Sequence, residues 1–267
     1  MSRLEINAVT LNVEVGGAGA PLLLLHGFTG SARSWQTLSA ALAGRFQTIV
    51  PDPLGHGRSE APADPARYRM DRCVADLEAA LDRLGVEAVN VLGYSMGGRG
   101  ALHLAAACPG RVRALVLESA SPGLATPEER AARIAADEAL AGRLEREGLE
   151  AFIDYWERLP LFASQARLPA EIRAALRAQR LKNNPLGLAN SLRGLGAGAQ
   201  PSLWERLPEI RTPTLLIAGA LDEKFTALAR QMASRLPAAQ LASVPDAGHA
   251  VHLEQPDIFQ RLIAEFF

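Results

Sequence analysis

Residues 89–98 read VNVLGYSMGG. Val89–Leu92 is a short strand-type run, and the segment after Gly98 is rich in Ala and Leu, the composition of a helix. Between them lies Gly93-Tyr94-Ser95-Met96-Gly97. A G-x-S-x-G match alone is a weak signal, and the bland alternative is a glycine-rich turn. Its placement at a strand-to-helix turn carries more. Such a turn holds its central serine in a strained backbone conformation, and the flanking glycines remove Cβ atoms that would collide. Ser95 Oγ is then predicted to project above a sheet.

Outward from this turn, further runs of the buried parallel-strand type occur at Leu22–Leu25, Thr48–Val50, Leu115–Leu117 and Thr214–Ala218, with another near Leu241–Val244. Helix-length segments separate them. Trp35, Leu38 and Leu42 recur at helical spacing, as do Val74, Leu77, Leu81 and Leu84, then Leu102 and Ala106. Leu4, Ile6, Leu11, Val13 and Val15 before Gly16-Gly17 suggest an opening hairpin at a sheet edge. The alternation specifies an α/β fold with a mostly parallel, doubly wound sheet. It breaks after Leu117. From about Ser121 to Gln200 there are helix signals only, starting at Thr126-Pro127-Glu128-Glu129, which predicts an inserted helical cap. The expected organisation is one domain: a core of residues 1–120 and 201–267 with a cap of 121–200, closed by a helix from about Pro256.

Composition narrows the function classes. With 48% hydrophobic and 21% charged residues the chain can bury a core, and a formal net charge of −1 offers no long-range attraction for nucleic acid or an anionic membrane. Cys73 and Cys108 sit in helical, apolar contexts that suit reduced thiols. The first residues carry charges where a signal peptide needs an apolar run, and no stretch reaches the ~18 apolar residues of a membrane span. A cytoplasmic enzyme is the expectation, with oligomeric state open.

A serine nucleophile or base needs a histidine, and the histidine needs an acid. His249, in Pro245-Asp246-Ala247-Gly248-His249, lies after the last predicted strand, with His252 as competitor. His56 and His103 fall too far from Ser95, and His26 reads as a loop brace. Asp222 follows Thr214–Ala218 at the carboxyl edge of the sheet, where ligands gather; Asp246 is the fallback. Donors for an oxyanion would be the backbone N–H groups of Met96 and, from His26-Gly27-Phe28, of Phe28. Arg99 lies in the first helical turn after Ser95, where a cation opposes the helix dipole, so an anion is expected against it. Asp52, Glu118 or a substrate carboxylate could supply it. Arg130, Arg133, Arg177, Arg180 and Lys182 add cap cations, most of them solvated beside nearly as many acids.

These elbow and His-Gly features resemble the α/β-hydrolase fold. More particular segments are LHGFTGS at Leu25–Ser31, DPLGHGRS at Asp52–Ser59, GYSMGGR at Gly93–Arg99, SPGL at Ser121–Leu124, WERLPLF at Trp156–Phe162, SLRGLGAGAQPSLW at Ser191–Trp204, DEKF at Asp222–Phe225 and GHAVHLEQP at Gly248–Pro256. With these the chain resembles the 2-succinyl-6-hydroxy-2,4-cyclohexadiene-1-carboxylate (SHCHC) synthases of menaquinone biosynthesis over nearly its whole length. The resemblance implies a lyase that eliminates pyruvate from an enolpyruvyl-bearing cyclohexene with three carboxylates, and implies no cofactor or metal. It implies that Ser95, His249 and Asp222 abstract a proton. It also implies that Arg99, Arg133 and Arg180 meet carboxylates, with Tyr94 and Trp156 lining the pocket; Arg130 could replace Arg133 after a one-turn slip. His56 and Lys224 match the family without a derivable role.

Two rivals stand beside the lyase. A carboxylesterase or carbon–carbon bond hydrolase would use Ser95 as a nucleophile, but an apolar ester gains nothing from several cations in one pocket. A non-catalytic binding protein would not need Ser, Asp and His together.

Overall fold

In the computed structural model, which describes residues 2–267, eight strands form one sheet. In chain order the elements are β1 (Ser2–Ile6), β2 (Val9–Gly16), β3 (Ala20–Leu25), α1 (Gln36–Leu42), β4 (Phe46–Pro51), α2 (Met70–Arg83), β5 (Val89–Tyr94), α3 (Met96–Ala107), β6 (Val112–Glu118), α4 (Pro127–Glu157), α5 (Ala170–Arg180), α6 (Pro185–Leu195), β7 (Thr214–Gly219), α7 (Glu223–Ala233), β8 (Ala239–Val244), α8 (Val251–Glu254) and α9 (Pro256–Phe266). The sheet order is β1-β2-β4-β3-β5-β6-β7-β8. β1 and β2 pair antiparallel at one edge, β2 joins β4 antiparallel, and every remaining pair is parallel.

The uninterrupted apolar strands are explained by what covers each face. Leu23 and Leu25 join one core cluster with Val91, Leu115 and Leu216, while Leu22 and Leu24 join another with Leu92, Val116 and Ile217. Successive side chains point to opposite faces, so a strand covered on both must be apolar throughout. On the first face lie α2, α3 and α7 through Leu77, Leu81, Leu102, Leu104 and Met232. On the second lie α1 and α9 through Leu38, Leu42, Phe259 and Ile263. Each such side chain withdrawn from water contributes roughly 1.5–3 kcal/mol, which fixes β5 centrally and its carboxyl end, at Tyr94, in place.

Residues 121–200 contain helices and no strand. α4 starts as its sequence demands: Thr126 Oγ1 accepts from Glu129 N (3.1 Å), and Glu129 Oε2 accepts from Thr126 N (3.0 Å). Gly148 (φ 82°, ψ 172°) breaks α4, so two helices meet there, a division the helical spacing did not foretell. Phe152, Ile153, Leu188 and Leu192 form an apolar cluster joining α4 to α6, and Phe28 and Trp156 pack on it from the sheet side and the cap. α6 also touches the loop after β4 through Gly55 and Gly187, placed back to back: a Cβ on Gly55 would lie 2.5 Å from the Gly187 carbonyl oxygen. Cys73 and Cys108 are free, Cys108 terminating α3 rather than lying within it. Among the described residues no helix is long and apolar enough to cross a membrane.

Candidate active site

Ser95 stands between β5 and α3 with φ 52° and ψ −109°, a conformation costly for a residue with a Cβ. The surroundings hold it there. Ser95 N donates to the Glu118 carbonyl of the adjacent strand (2.8 Å). A Cβ on Gly93 would lie 2.5 Å from the Gly97 carbonyl oxygen, and one on Gly97 would strike the Leu25 carbonyl, so the crossing of turn and strand admits only glycine at both positions.

His249 Nε2 lies 3.0 Å from Ser95 Oγ, and its Nδ1 lies 2.7 Å from Asp222 Oδ2. Asp222 caps α7, its Oδ1 accepting from Phe225 N (3.2 Å), and is 9% exposed; His249 is 1% exposed. A carboxylate only accepts, so it selects the tautomer with the proton on Nδ1 and leaves Nε2 to accept from the serine hydroxyl. Glu254 braces this histidine's loop: its carboxylate accepts from Gly248 N (2.8 Å) and Ala250 N (3.3 Å). The rings of Phe225 and Phe162 approach His249 at 4.6 and 6.0 Å between centroids. Neither Glu254 nor Phe162 was signalled by a motif with an obvious function.

The competitors are occupied elsewhere. His252 Nδ1 is 2.9 Å from both oxygens of buried Glu118. His26 Nδ1 lies 2.8 Å from its neighbour's carbonyl, Gly27 O, bracing the loop. His56 is wholly buried, and burial, followed by the charge of His26, lowers its pKa to about 3; His103 is lowered to about 4 by burial and then by Arg99. Asp246 offers its backbone carbonyl to Arg167 Nη2 (3.1 Å) rather than its carboxylate to His249.

A cavity of about 1150 Å³ opens above Ser95, between the carboxyl edge of the sheet and the cap. Phe28, Met96, Tyr94, Arg99, Trp156 and His249 are among its lining residues. Met96 N–H opens α3, one of the four N–H groups a helix leaves without an internal partner, and Phe28 N–H makes no hydrogen bond among the described residues. A Cβ on Gly27 would lie 3.6 Å from Ser95 Cβ, which measures how closely the Phe28 loop approaches the serine. Tyr94 packs against His249 and His252 at 5.5 and 4.7 Å, and burial, then the Glu118 carboxylate, raises its pKa well above the usual phenol value, so it stays a donor. Trp156 stacks on Phe152 (5.8 Å, 17°) and meets Phe28 edge-on (5.2 Å).

The arginines divide into two groups. Arg133 Nε donates to Asp137 Oδ1 (2.8 Å) and Arg180 Nη1 to Glu157 Oε1 (2.9 Å), so these two of the cations lining the cavity already have carboxylates. Arg130 instead bonds the Gly198 carbonyl (3.3 Å) and does not line the cavity. Arg177 is engaged by Glu150, Asp154 and Glu157 away from the cavity, and Lys182 is not on its wall. Arg99 differs. Of the three candidate anions, neither Asp52 nor Glu118 meets it. Asp52 serves the backbone N–H groups of Ala32 (2.5 Å) and Arg58 (2.9 Å) and lies 3.7 Å from His26, while Glu118 holds His252. Arg99 Nη1 donates to two neutral oxygens, Leu195 O (2.6 Å) and Gln200 Oε1. Burial and then the charge of Arg133 lower its pKa to about 10, which leaves it cationic at neutral pH. Among the described residues no cluster of His, Cys, Asp and Glu could hold a metal ion.

The α/β hydrolase fold family model matches residues 20–256, which defines the class. Within it, the chain is 49% identical over 93% of its length, and 90% of the other protein, to a Bacillus subtilis (strain 168) protein named provisionally as a 2-succinyl-6-hydroxy-2,4-cyclohexadiene-1-carboxylate synthase. It is 34% identical to the Serratia proteamaculans (strain 568) synthase of that name, over 95% of this chain and 96% of that one. The solved structure of MenH from S. aureus superposes with a TM-score of 0.91 at 35% identity, covering 96% of this chain and 97% of that chain. The chain belongs to the SHCHC synthase family of α/β-hydrolase-fold enzymes.

Proposed function

We propose that this enzyme eliminates pyruvate from 2-succinyl-5-enolpyruvyl-6-hydroxy-3-cyclohexene-1-carboxylate to give SHCHC, with Ser95, His249 and Asp222 as its proton-transfer relay. One observation carries the reading furthest. A hydrogen-bonded Ser-His-Asp line ends in a cavity that also presents a guanidinium with no carboxylate partner. A small polyanion suits such a cavity; an apolar ester does not.

In the chemistry that follows, Ser95 Oγ gives its proton to His249 Nε2 and takes one from the carbon α to the succinyl ketone. Asp222 stabilises the imidazolium. The enolate oxygen is received by Phe28 and Met96 N–H groups, whose donors need no reorganisation. Electrons return through the ring, the carbon–oxygen bond to the enolpyruvyl group breaks, and the proton carried by His249 is available to the departing enolpyruvate, which leaves as pyruvate. Arg99, Arg133 and Arg180 meet the carboxylates, while Tyr94 and Trp156 shape the wall. Residues 121–200 act in this reading as a cap on a core of residues 1–120 and 201–267, of which residue 1 lies outside the described residues.

The same serine could attack an ester carbonyl, and the 3.0 Å Oγ–Nε2 contact suits that as well. The deciding assay supplies the enolpyruvyl precursor and follows pyruvate, with nitrophenyl esters in parallel. Rapid pyruvate release with slow ester turnover is the expected result. Brisk ester hydrolysis without pyruvate would replace the lyase by a hydrolase.

A further inference from the structure

The contacts around Arg99 contain a choice that the reaction above does not use. Arginine carries donors only, so the amide of Gln200 must turn its Oε1 to the guanidinium and leave Nε2 facing away. Gln200 is 0% exposed, and its Nε2 finds no partner. Burying an unsatisfied amide nitrogen is costly, and a carboxylate at this position would bond Arg99 more strongly without leaving a donor stranded. The neighbouring arginines are held in that stronger way, Arg133 by Asp137 and Arg180 by Glu157. At Arg99 a neutral side chain fixes the guanidinium, and the carboxylate that acts on it through space, Asp137, is ion-paired to Arg133 instead.

The surrounding chain is built to hold that amide. Gly123 has φ +101°, and a Cβ there would lie 3.0 Å from Gln200 Nε2. Trp204 Nε1 donates to the Gly123 carbonyl (3.0 Å), Leu203 N to the Pro122 carbonyl (2.7 Å), and Gln200 N to the Gly196 carbonyl (3.1 Å). The Ser121–Leu124 and Ser191–Trp204 segments, quoted above without a role, thus interlock around one glutamine behind Arg99.

We propose that Gln200 is a positioning residue that aims the Arg99 guanidinium without neutralising it, reserving its charge for a carboxylate of the substrate. This rests on the assignment of Arg99 to substrate made above. Its physical content is preorganisation: the cation is fixed before the anion arrives, and no internal carboxylate has to be displaced.

The test compares wild type, Gln200→Glu, Gln200→Met, Arg99→Met and the double variants Arg99→Met/Gln200→Glu and Arg99→Met/Gln200→Met in steady-state pyruvate release, with thermal melting alongside. Gln200→Glu supplies an internal competitor for Arg99, so KM should rise roughly 10- to 100-fold while kcat stays within about threefold. Gln200→Met keeps the charge and loses only its aim, so its KM should rise less. In the Arg99→Met background, Gln200→Glu should add nothing further. A merely structural glutamine would instead lower kcat and melting temperature in both variants, whatever occupies position 99, and that result overturns the proposal. If Arg99→Met raises KM and Gln200→Glu does not, the proposal alone fails; if Arg99→Met leaves KM unchanged, the substrate assignment of Arg99 has failed first. Should Gln200→Glu not fold, Gln200→Met decides in the same cycle: a KM effect that vanishes with Arg99→Met supports the proposal, and an additive effect refutes it.

Discussion

Replacing Arg99 by methionine should separate activity from stability. Methionine keeps much of the unbranched stem and removes the charge. The loss to the fold is two hydrogen bonds from Nη1, to Leu195 O and Gln200 Oε1. Methionine leaves both buried acceptors without their donor, which costs about 1–3 kcal/mol each. Against it stands the desolvation of a guanidinium with no ion-pair partner of its own, Asp137 acting on it only through space, a penalty that replacement by an apolar side chain removes. The terms oppose one another and are of similar size, so the net change should fall within about 1 kcal/mol, or roughly 2–4 °C in melting temperature for a chain of this size. Substrate recognition has no such offset. Losing charge-assisted hydrogen bonds worth about 1.5–3 kcal/mol should raise KM roughly 10- to 150-fold, with kcat less affected if Arg99 holds the carboxylate equally in the ground and transition states. Differential scanning calorimetry and a coupled pyruvate assay read the two quantities on one preparation. A melting temperature depressed by 8 °C or more, with activity lost in proportion, would show that Arg99 serves the fold rather than the substrate.

Other perturbations probe different parts of the molecule. Asp222→Asn would present an N–H to His249 Nδ1 and force the tautomer that cannot accept from Ser95; kcat should fall by about 10³–10⁴ with the melting curve nearly intact, and a loss below tenfold in single-turnover pyruvate release would contradict the relay. His56, with a pKa of about 3 in the fold against an ordinary 6.5, binds its proton more readily when unfolded. Its contribution to stability is therefore complete above pH 6.5 and is lost as pH falls, at about 1.4 kcal/mol per pH unit. Urea midpoints for His56→Gln between pH 7 and 4 should fall less steeply than those of wild type, and parallel slopes would exclude this origin of acid sensitivity. Gly97→Ala drives a methyl group into the Leu25 and His26 carbonyls, so it should cost about 1–3 kcal/mol and move Ser95; an unchanged melting temperature and kcat would mean that the turn tolerates what its contacts forbid.

The strand-to-helix turn at Ser95 was legible because its requirements are local: an apolar run, two glycines and a helix start lie within ten residues of one another. The positions of Asp222 and His249 were legible for a related reason, since each follows a recognisable strand at the same edge of the sheet. The partner of Arg99 was not. Asp52 and Glu118 both end strands near it in the order of the sheet, yet each is claimed by a histidine, His26 and His252, whose approach depends on how loops from distant parts of the chain fold over that edge. The ion pairs of Arg133 and Arg180 were hidden differently. Asp137 lies one helical turn from Arg133 and could have been named from spacing, whereas Glu157 reaches Arg180 only because Gly148 redirects the second half of α4, and a glycine in a helical pattern does not announce its φ.

The back-to-back contact of Gly55 and Gly187 has a consequence for how such a molecule can diverge. Each glycine is held by the backbone of the other, so neither position has an independent route to a larger residue: the first substitution meets a carbonyl or Cα across the contact, whichever side changes first. Drift at this seam must therefore begin with a shift of the whole helix, since a second substitution would not remove the backbone that the first one meets. A library that recombines lids from relatives onto this sheet would have to carry both glycines as one inherited unit, and hybrids that split the pair should be depleted among folded members even where every residue around the chemistry is retained.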